Sequence, residues 1–356
     1  MKIVIKVGTQ SILKSNGMPI DHILLDLVLQ IATLQKSGHH VILVSSGAVG
    51  SGRKVARNYL EKEQRNSVGE KQLLASLGQH ELMSIYAGLF KTHNILVSQI
   101  LLTKQDFQTR QHYLNITRLL NELLKHKNII PIINENDSVA IEELMFTDND
   151  ELAGLIAAQI NADKLIILTN VNGVFTGHPS EPDSQLIKLI DPNQNWPNVS
   201  SAKSELGRGG MLSKLNTARK MSSLGISTTI TNINEPDVLA QVVAQKELGT
   251  TVITHKKKSN IKRWIAYNSD KKMGSISINQ NLSTLLKENT RIVSLLPVGI
   301  EKCMGEFKKG DLIEIINHEN QKIGVGIARY DYKKLHEYLG EKNRPAFIHY
   351  DHLHLF

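Results

Sequence analysis

The chain has 356 residues, which at about one to two hundred residues per domain predicts two domains, each long enough to bury its own core. Its net charge of +8 is divided evenly, with +4 on residues 262–356 and +4 on the rest, so the charge favours a solvated surface over a nucleic-acid-binding face. The single cysteine, Cys303, excludes an internal disulfide, and no apolar run reaches the roughly 20 residues that span a bilayer. We therefore expect a cytoplasmic protein that does not enter a membrane.

Residues 1–230 alternate short β-branched runs with longer segments of helical period, which is typical of βαβ units on a parallel sheet. The strand candidates are residues 3–7, 41–45, 95–100, 129–134, 165–169 and 228–231. Between them, apolar stripes at helical spacing predict helices over residues 23–34, 73–89 and 116–124, with each stripe in the core. The expected fold class is α/β, an open and mostly parallel sheet sandwiched by helices.

The pattern changes near Thr254, where a polar and basic run predicts a linker. Beyond it, short strand-like pieces separated by Pro and Gly predict a small β-barrel-like domain. These pieces are residues 263–267, 275–278, 291–296, 312–316 and 323–328. We expect a first domain at residues 1–254, a linker at 255–262 and a second domain at 263–356.

Polar segments follow the predicted strands, and ligands of open parallel sheets bind beyond the carboxyl ends of the strands. Lys6-Val7-Gly8-Thr9 ends the first strand with a lysine and a glycine that lets backbone approach a ligand. Small residues over 45–52 follow the second strand and expose N–H groups suited to anionic oxygens. The alternatives are a solvated lysine in the first segment and a tight turn in the second.

Two further segments are dense in amides and carboxylates. Asn134-Glu135-Asn136-Asp137 follows the apolar run at residues 129–133, and Thr147-Asp148-Asn149-Asp150 comes shortly after it. Such a set of donors and acceptors suits a ligand that carries both an ammonium and a carboxylate group. The alternative is a surface hairpin rich in Asn and Asp.

Residues 207–214, Gly-Arg-Gly-Gly-Met-Leu-Ser-Lys, open a predicted helix with glycines and a lysine. The N–H groups at a helix start together with Lys214 make a phosphate site. The segment is not a Walker A loop, and no Gly-x-Gly-x-x-Gly follows the first strand, so a dinucleotide fold is disfavoured. Lysines beside two glycine loops suit phosphoryl transfer, and a carboxylate nucleophile would need no base.

Metal and cysteine chemistry receive little support from the sequence. His349, His352 and His354 lie near the end of the chain, but neither His-Glu-x-x-His nor a pair of cysteines is present. We therefore predict no metal ligands in the chain and interpret Cys303 as a structural residue of the second domain.

The segments together resemble the amino acid kinase family, and in particular its members that act on free glutamate and carry a C-terminal PUA domain. The resemblance extends over nearly the whole chain. Its motifs here are Ile5-Lys6-Val7-Gly8-Thr9, Val44-Ser45-Ser46-Gly47-Ala48, Lys71-Gln72-Leu73-Leu74-Ala75, Leu101-Leu102-Thr103, the run 131–137, Asp148-Asn149-Asp150, Gly209-Gly210-Met211 with Lys214, and Lys262-Arg263-Trp264-Ile265. In the second domain, residues 294–300 and Gly305-Glu306-Phe307 are similar to PUA signatures.

The resemblance implies roles for individual residues. Lys6 and Lys214 are expected to neutralise the transferring phosphoryl group, with Asp150 orienting them as the third catalytic residue. The implied substrate contacts are Ser46, Gly47, Ala48, Asn134, Asp137, Asp148 and Asn149. The implied ATP contacts are Lys6, Gly8, Thr9, Thr169, Asn170, Arg208, Gly209, Gly210, Met211, Leu212, Ser213 and Lys214. The family commonly has Asp in place of Asn170 and Thr in place of Arg208, so the resemblance is weaker at the nucleotide.

The implied reaction is transfer of a phosphoryl group from ATP to the side-chain carboxylate of L-glutamate, the first step of proline biosynthesis. Mg²⁺ would be held mainly by the nucleotide phosphates, proline would act as a feedback inhibitor, and the enzyme would be a homotetramer or dimer. Two alternatives remain. One is an acetylglutamate kinase-like enzyme, which Thr9 after Gly8 disfavours because those kinases have Lys-x-Gly-Gly there. The other is an RNA-binding PUA protein that uses the basic residues Lys256, Lys257, Lys258, Lys262 and Arg263.

Overall fold

The computed structural model describes residues 1–59, 67–107, 110–140, 146, 148–194, 196–197, 210–254, 274–288 and 293–356. The chain forms two compact units, one comprising Met1–Asp106 and Asn115–Lys257, the other Phe107–Leu114 and Lys258–Phe356. The predicted linker at residues 255–262 lies outside the described residues, so its position stays a prediction. No helix in the described part of the chain is long and apolar enough to cross a membrane.

The first unit is built on one eight-stranded sheet. Its strands are β1 (Lys2–Val7), β2 (His40–Ser45), β3 (Leu96–Leu102), β4 (Ile129–Glu135), β5 (Lys164–Thr169), β6 (Leu189–Ile190), β7 (Ser227–Asn232) and β8 (Thr250–Val252). The strand order is β3-β4-β2-β1-β5-β7-β8-β6. The pairs are parallel except for β7 with β8, which is antiparallel. The predicted mostly parallel sheet is therefore confirmed.

The central strands are nearly continuous apolar runs, as expected for strands covered by helices on both faces. In β1, β2, β4 and β5 five or more residues of each strand are buried. The six predicted strands of this sheet are each present within about two residues of their predicted ends. The sequence did not predict β6 and β8, which are two and three residues long and too short to show a period.

Eight helices precede the C-terminal sheet in the described part of the chain. They are α1 (Thr9–Ile12), α2 (Asp21–Lys36), α3 (Ala48–Tyr59), α4 (Val68–Lys91), α5 (Arg110–Leu123), α6 (Asn149–Ile160), α7 (Met211–Ser223) and α8 (Val238–Val243). The three helices predicted from apolar stripes are present as α2, α4 and α5. The prediction that every stripe residue is in the core was wrong for Leu73 and Leu119, both 46% exposed, because each lies toward the solvent side of its helix.

Helices α3 and α4 cross with their backbones in contact. A Cβ atom on Gly78 of α4 would lie 1.8 Å from the carbonyl oxygen of Ala48, and one on Gly52 of α3 would lie 1.9 Å from that of Leu74. Real Cβ atoms do not approach backbone that closely, so glycine is required at both positions. The crossing holds the start of α3 in place, directly after the loop that follows β2.

The second unit contains a separate five-stranded sheet. Its strands are β9 (Gly274–Ile278), β10 (Ile300–Met304), β11 (Leu312–Ile316), β12 (Lys322–Ile327) and β13 (Leu353–Leu355), in the order β10-β9-β11-β12-β13. Two helices, α9 (Gln280–Glu288) and α10 (Tyr332–Tyr338), accompany it. Tyr113, from the short segment Phe107–Leu114 that belongs to this unit, packs against Leu312, Val325 and Ile327.

The predictions for this unit were partly wrong. Residues 293–296 form no strand and contribute one bridge, from Leu295 to Ile348, while residues 263–267 and 291–292 lie outside the described residues. Helices α9 and α10 and strands β10 and β13 were not predicted. Strand β10 exposes Glu301 and Lys302, so its sequence lacks the apolar alternation by which a strand is recognised.

Candidate active site

Two lysines and one aspartate meet at the carboxyl edge of the first sheet. Lys6 lies near the end of β1, Asp150 in the first turn of α6 and Lys214 in the first turn of α7. The Nζ of Lys6 is 2.8 Å from Oδ1 of Asp150, and the Nζ of Lys214 is 2.9 Å from Oδ2 of the same carboxylate. One carboxylate thus sets the separation of two ammonium groups. We call Lys6, Asp150 and Lys214 the charged triad.

The charged triad is buried, with Lys6 and Lys214 at 5% and 7% exposure and Asp150 at 0%. Burial alone raises the pKa of Asp150, but the ammonium groups of Lys6 and Lys214 outweigh it and hold that pKa below its ordinary value. Burial lowers the pKa of Lys6. The charge of Asp150 opposes this lowering without cancelling it, and the charge of Lys214 adds to it. An ammonium group has three donors, so each lysine, engaged here with one carboxylate oxygen, has donors left for an anionic ligand.

Asp148 fixes the start of α6 and thereby the position of Asp150. As the N-cap residue it accepts hydrogen bonds through Oδ1 from the backbone N–H groups of Asp150, at 2.9 Å, and Glu151, at 3.1 Å. Burial, and after it the charge of Asp150, raises the pKa of Asp148 above its ordinary value. The start of α6 therefore carries two carboxylates whose pKa values shift in opposite directions, with that of Asp148 raised and that of Asp150 lowered.

A chain of amides lies beside the charged triad. Asn149 donates through Nδ2 to Oγ of Ser46, at 2.7 Å, and to Oδ1 of Asn134, at 2.9 Å. Asn134 lies in β4 and Ser46 in the loop after β2, so three elements are joined at one point. The Oδ1 atom of Asn149 is buried and accepts no hydrogen bond from the described residues. This acceptor suits a ligand that brings a donor, such as an ammonium group.

Glycines leave room at the predicted loops. The Nζ of Lys6 lies 3.5 Å from where a Cβ of Gly8 would be, so the ammonium group lies over that glycine, just before α1 begins at Thr9. Gly47 has a φ of 117°, a conformation that favours glycine, and α3 begins at the next residue, Ala48.

Helix α7 begins at a glycine N-cap, Gly210, that offers no side-chain acceptor to its first N–H groups. Met211, Leu212 and Ser213 form its first turn ahead of Lys214, so backbone donors are placed beside the charged triad. Arg208 and Gly209 were also predicted to contact the nucleotide, and both lie outside the described residues.

The remaining predicted contacts lie at the ends of β4 and β5. Thr169 ends β5, and Asn170 after it accepts from Oγ of Ser11 at 2.8 Å and donates to the carbonyl of Gln10 at 3.2 Å. Asn170 therefore ties the end of β5 to α1. Asp137 follows β4 in the same turn as Asn136.

The described residues contain no group of three or more His, Cys, Asp or Glu side chains that would hold a metal ion. Mg²⁺ usually keeps several waters and is bound by one or two carboxylates together with the phosphates of a substrate. Both carboxylate oxygens of Asp150 are paired with lysines, so Asp148 is the carboxylate at this helix start that fits a magnesium ion arriving with a nucleotide.

Sequence reasoning missed one buried polar residue beside the amide chain, Gln79 of α4, which accepts from Nδ2 of Asn134 at 2.9 Å. Glu135, which belongs to the predicted segment after β4 but was given no role of its own, accepts the backbone N–H of Phe146 at 2.8 Å. The available signal for Gln79 was a polar residue within the apolar stripe of a predicted helix, which we interpreted as core throughout.

Residues 1–232 match the model of the amino acid kinase family, and residues 286–344 match that of the PUA domain. Among curated proteins, the glutamate 5-kinase of Chlorobaculum tepidum is 43% identical over 99% of this chain and 97% of its own length. The glutamate 5-kinase of Bacteroides thetaiotaomicron is 39% identical over 99% of this chain and 98% of its own length. Among solved structures, the isopentenyl phosphate kinase of T. acidophilum has the same fold, with a TM-score of 0.50 and 15% identity over 71% of this chain and 100% of that one.

Proposed function

We propose a reaction for this chain from the premise that it belongs to the amino acid kinase family. The protein transfers the γ-phosphoryl group of ATP to the side-chain carboxylate of L-glutamate, and the products are ADP and L-glutamyl 5-phosphate. This is the first step of proline biosynthesis. The observation that carries the proposal is the charged triad beside the amide chain, because ammonium groups suited to phosphate and amides suited to an amino acid lie at one edge of the sheet.

The charged triad supports the phosphoryl-transfer step. In such reactions negative charge spreads over the oxygens of the moving group, and catalysis comes mainly from positioning and charge stabilisation. We assign to Lys6 and Lys214 the neutralisation of that charge, and to Asp150 the fixing of both ammonium groups, which it contacts at 2.8 and 2.9 Å. The carboxylate of glutamate is already a nucleophile at neutral pH, so no general base is assigned.

The nucleotide is assigned to the loops around the charged triad. The N–H groups at the start of α7, from Gly210 to Ser213, have no side-chain cap among the described residues and would hold the phosphates, together with Gly8 and Thr9 at the start of α1. Thr169, Asn170, Arg208 and Gly209 are proposed as further nucleotide contacts. Mg²⁺ would be held mainly by the nucleotide phosphates, with Asp148 beside it, and would help to neutralise their charge.

The amino acid is assigned to the residues around the amide chain. Nδ2 of Asn149 donates to Oγ of Ser46 at 2.7 Å, and Oδ1 of Asn149, which has no donor among the described residues, suits the substrate ammonium group. Gly47, Ala48, Asn134, Asp137 and Asp148 are proposed to complete this part of the site.

A coupled assay of ADP release tests the proposed function. Glutamate, aspartate, N-acetylglutamate and UMP are offered as acceptors at fixed ATP and Mg²⁺. Turnover should be confined to glutamate. Preference for N-acetylglutamate or UMP would contradict the substrate assignment, while the absence of ADP release with every acceptor would contradict the reaction class.

Replacing Asp137 by alanine is expected to raise the KM for glutamate at least about tenfold while changing the KM for ATP less than about twofold, because a charged partner of the substrate ammonium is worth roughly 1.5–3 kcal/mol. Initial rates with each substrate varied in turn measure the two constants. Asp137→Asn, which keeps the shape and one acceptor oxygen, is the matched control and should lie between the two proteins. An equal rise in both KM values would mean that the loop, rather than a glutamate contact, has been lost.

Truncation after Lys258 is expected to leave a folded and active kinase, because every residue assigned to the site lies before it and the first unit has its own core. The truncation also removes Leu312, Val325 and Ile327, against which Tyr113 packs. The truncated chain therefore exposes the ring of Tyr113. We expect it to bind more of a hydrophobic dye than the same truncated chain with Tyr113→Ser. Circular dichroism and glutamate-dependent ADP release measure the outcome, and an inactive, unfolded product would refute the proposed domain boundary.

Further properties implied by the family stay predictions. They are a cytoplasmic location, a homodimer or homotetramer, feedback inhibition by proline, and RNA binding by the PUA unit. The basic residues proposed to contact RNA, at 256–258, 262 and 263, lie outside the described residues. A gel-shift titration with tRNA against a variant that neutralises all five would test the last of these, since phosphate contacts make binding depend steeply on salt.

A further inference from the structure

Helix α4 carries a polar residue on its buried face. The neighbours of Gln79 on that face are apolar or small, and they are Leu74, Ala75, Gly78, Leu82, Tyr86 and Phe90. Gln79 is 7% exposed, and a buried amide in such surroundings must be hydrogen-bonded to avoid a free-energy penalty. Its Oε1 accepts from Nδ2 of Asn134 at 2.9 Å. The glutamine thus reaches from the helix to β4.

Two groups hold the amide of Asn134 in one orientation, the backbone N–H of Glu135, which can only donate, and Oε1 of Gln79. With Nδ2 directed to Gln79, Oδ1 of Asn134 accepts from the backbone N–H of Glu135 at 2.8 Å and from Nδ2 of Asn149 at 2.9 Å. In the flipped orientation the NH₂ group of Asn134 would face two donors, and its oxygen would face the acceptor of Gln79. Without the acceptor on Gln79, the observed orientation loses one of its three hydrogen bonds.

The orientation of Asn134 in turn decides that of Asn149. Because Oδ1 of Asn134 is an acceptor, Asn149 turns its NH₂ group toward it and toward Oγ of Ser46, at 2.7 Å. That leaves Oδ1 of Asn149 as a buried acceptor without a donor among the described residues. Gln79 and the backbone N–H of Glu135 therefore hold, through two amides, an acceptor where the proposed function places the substrate ammonium group.

We propose that Gln79 is a positioning residue for amino-acid recognition, which together with the backbone N–H of Glu135 holds the amides of Asn134 and Asn149 so that the latter accepts a hydrogen bond from the α-ammonium group of the substrate. The inference rests on the proposed function, since it requires that these residues bind glutamate. Gln79 also borders an open groove of about 520 Å³ between α4 and β3, so a side chain of similar length can replace it without new contacts in the core.

The test compares two dicarboxylates that differ only in the ammonium group. In Gln79→Met, which keeps length but removes the acceptor, the KM for glutamate should rise about tenfold, since an unsatisfied buried donor costs roughly 1–3 kcal/mol. The inhibition constant of glutarate, which lacks the ammonium group, and the KM for ATP should change less than about twofold. Gln79→Glu restores an acceptor at the same place and should recover most of the glutamate affinity.

Gln35→Met is the matched control, because Gln35 is a second buried glutamine, bonded through Nε2 to the carbonyl of Ile129 at 3.2 Å. It should lower the melting temperature and leave the KM for glutamate unchanged. Equal losses of glutamate and glutarate binding in Gln79→Met, or no loss of either, would overturn the inference while leaving the proposed function in place. A wild-type enzyme that does not phosphorylate glutamate would overturn both.

Discussion

Lys214→Met and Lys6→Met are each expected to lower kcat at least about a hundredfold, since each removes a charge that stabilises the transition state more than the ground state. The fold should persist because Asp150 keeps one ammonium partner in either variant, at 2.8 Å from Lys6 or 2.9 Å from Lys214. Steady-state rates at saturating glutamate and ATP measure the loss, and circular dichroism checks the fold.

Lys164→Met is the matched control for this experiment. Lys164 is also a buried lysine, 6% exposed at the start of β5, and burial lowers its pKa with no opposing carboxylate among the described residues. Replacing it removes the same charge and adds the same apolar side chain, so kcat should stay within about twofold and stability should be unchanged or higher. If kcat is also unchanged in both Lys6→Met and Lys214→Met, the charged triad has no catalytic role.

Gly78→Ala is expected to destabilise the protein by about 3 kcal/mol, at the upper end for overpacking. The new methyl group would lie 1.8 Å from the carbonyl oxygen of Ala48 and 2.2 Å from the backbone nitrogen of Gly52, and neither backbone atom can move without shifting α3. A fall of about 6–12 °C in melting temperature should follow. Because α3 begins directly after Gly47, the KM for glutamate should rise as well.

Gly88→Ala in the same helix is the control, since nothing lies within 4 Å of the added methyl group there. Alanine is favoured over glycine within a helix by about 0.5–1 kcal/mol, so this variant should melt at the same temperature or higher. Equal stability of the Gly78 and Gly88 variants would show that α3 and α4 can move apart freely. The close crossing would then have no structural importance.

The strands of the first sheet were predictable because their physical signal is local. Residues 3–7 and 165–169 are short runs rich in apolar residues, with Lys6 the one charged member, and they form β1 and β5 nearly as expected. In the second unit that signal fails, since β10 exposes Glu301 and Lys302, and β13 has only three residues. The position of a strand at a sheet edge is determined more by the neighbouring strand than by its own sequence.

The charged triad and the amide chain were predictable in composition, because lysines, amides and carboxylates follow predicted strands of a parallel sheet. Their pairing was not, because residues 6, 150 and 214 are brought together by the order of the strands, and no local pattern encodes it. Gln79 was missed because its local pattern predicts a different role. It lies on the buried face of a helix, where the periodicity of apolar residues predicts packing and carries no information on hydrogen bonds.

The segment Phe107–Leu114 has a consequence for how the chain folds during synthesis. Tyr113 packs against Leu312, Val325 and Ile327, which a ribosome adds about 200 residues later. Contacts between residues so far apart form slowly, because a long loop must close before they contribute any stabilisation. The second unit therefore reaches its final packing only near the end of translation, and until then Tyr113 stays available to chaperones and to other nascent chains.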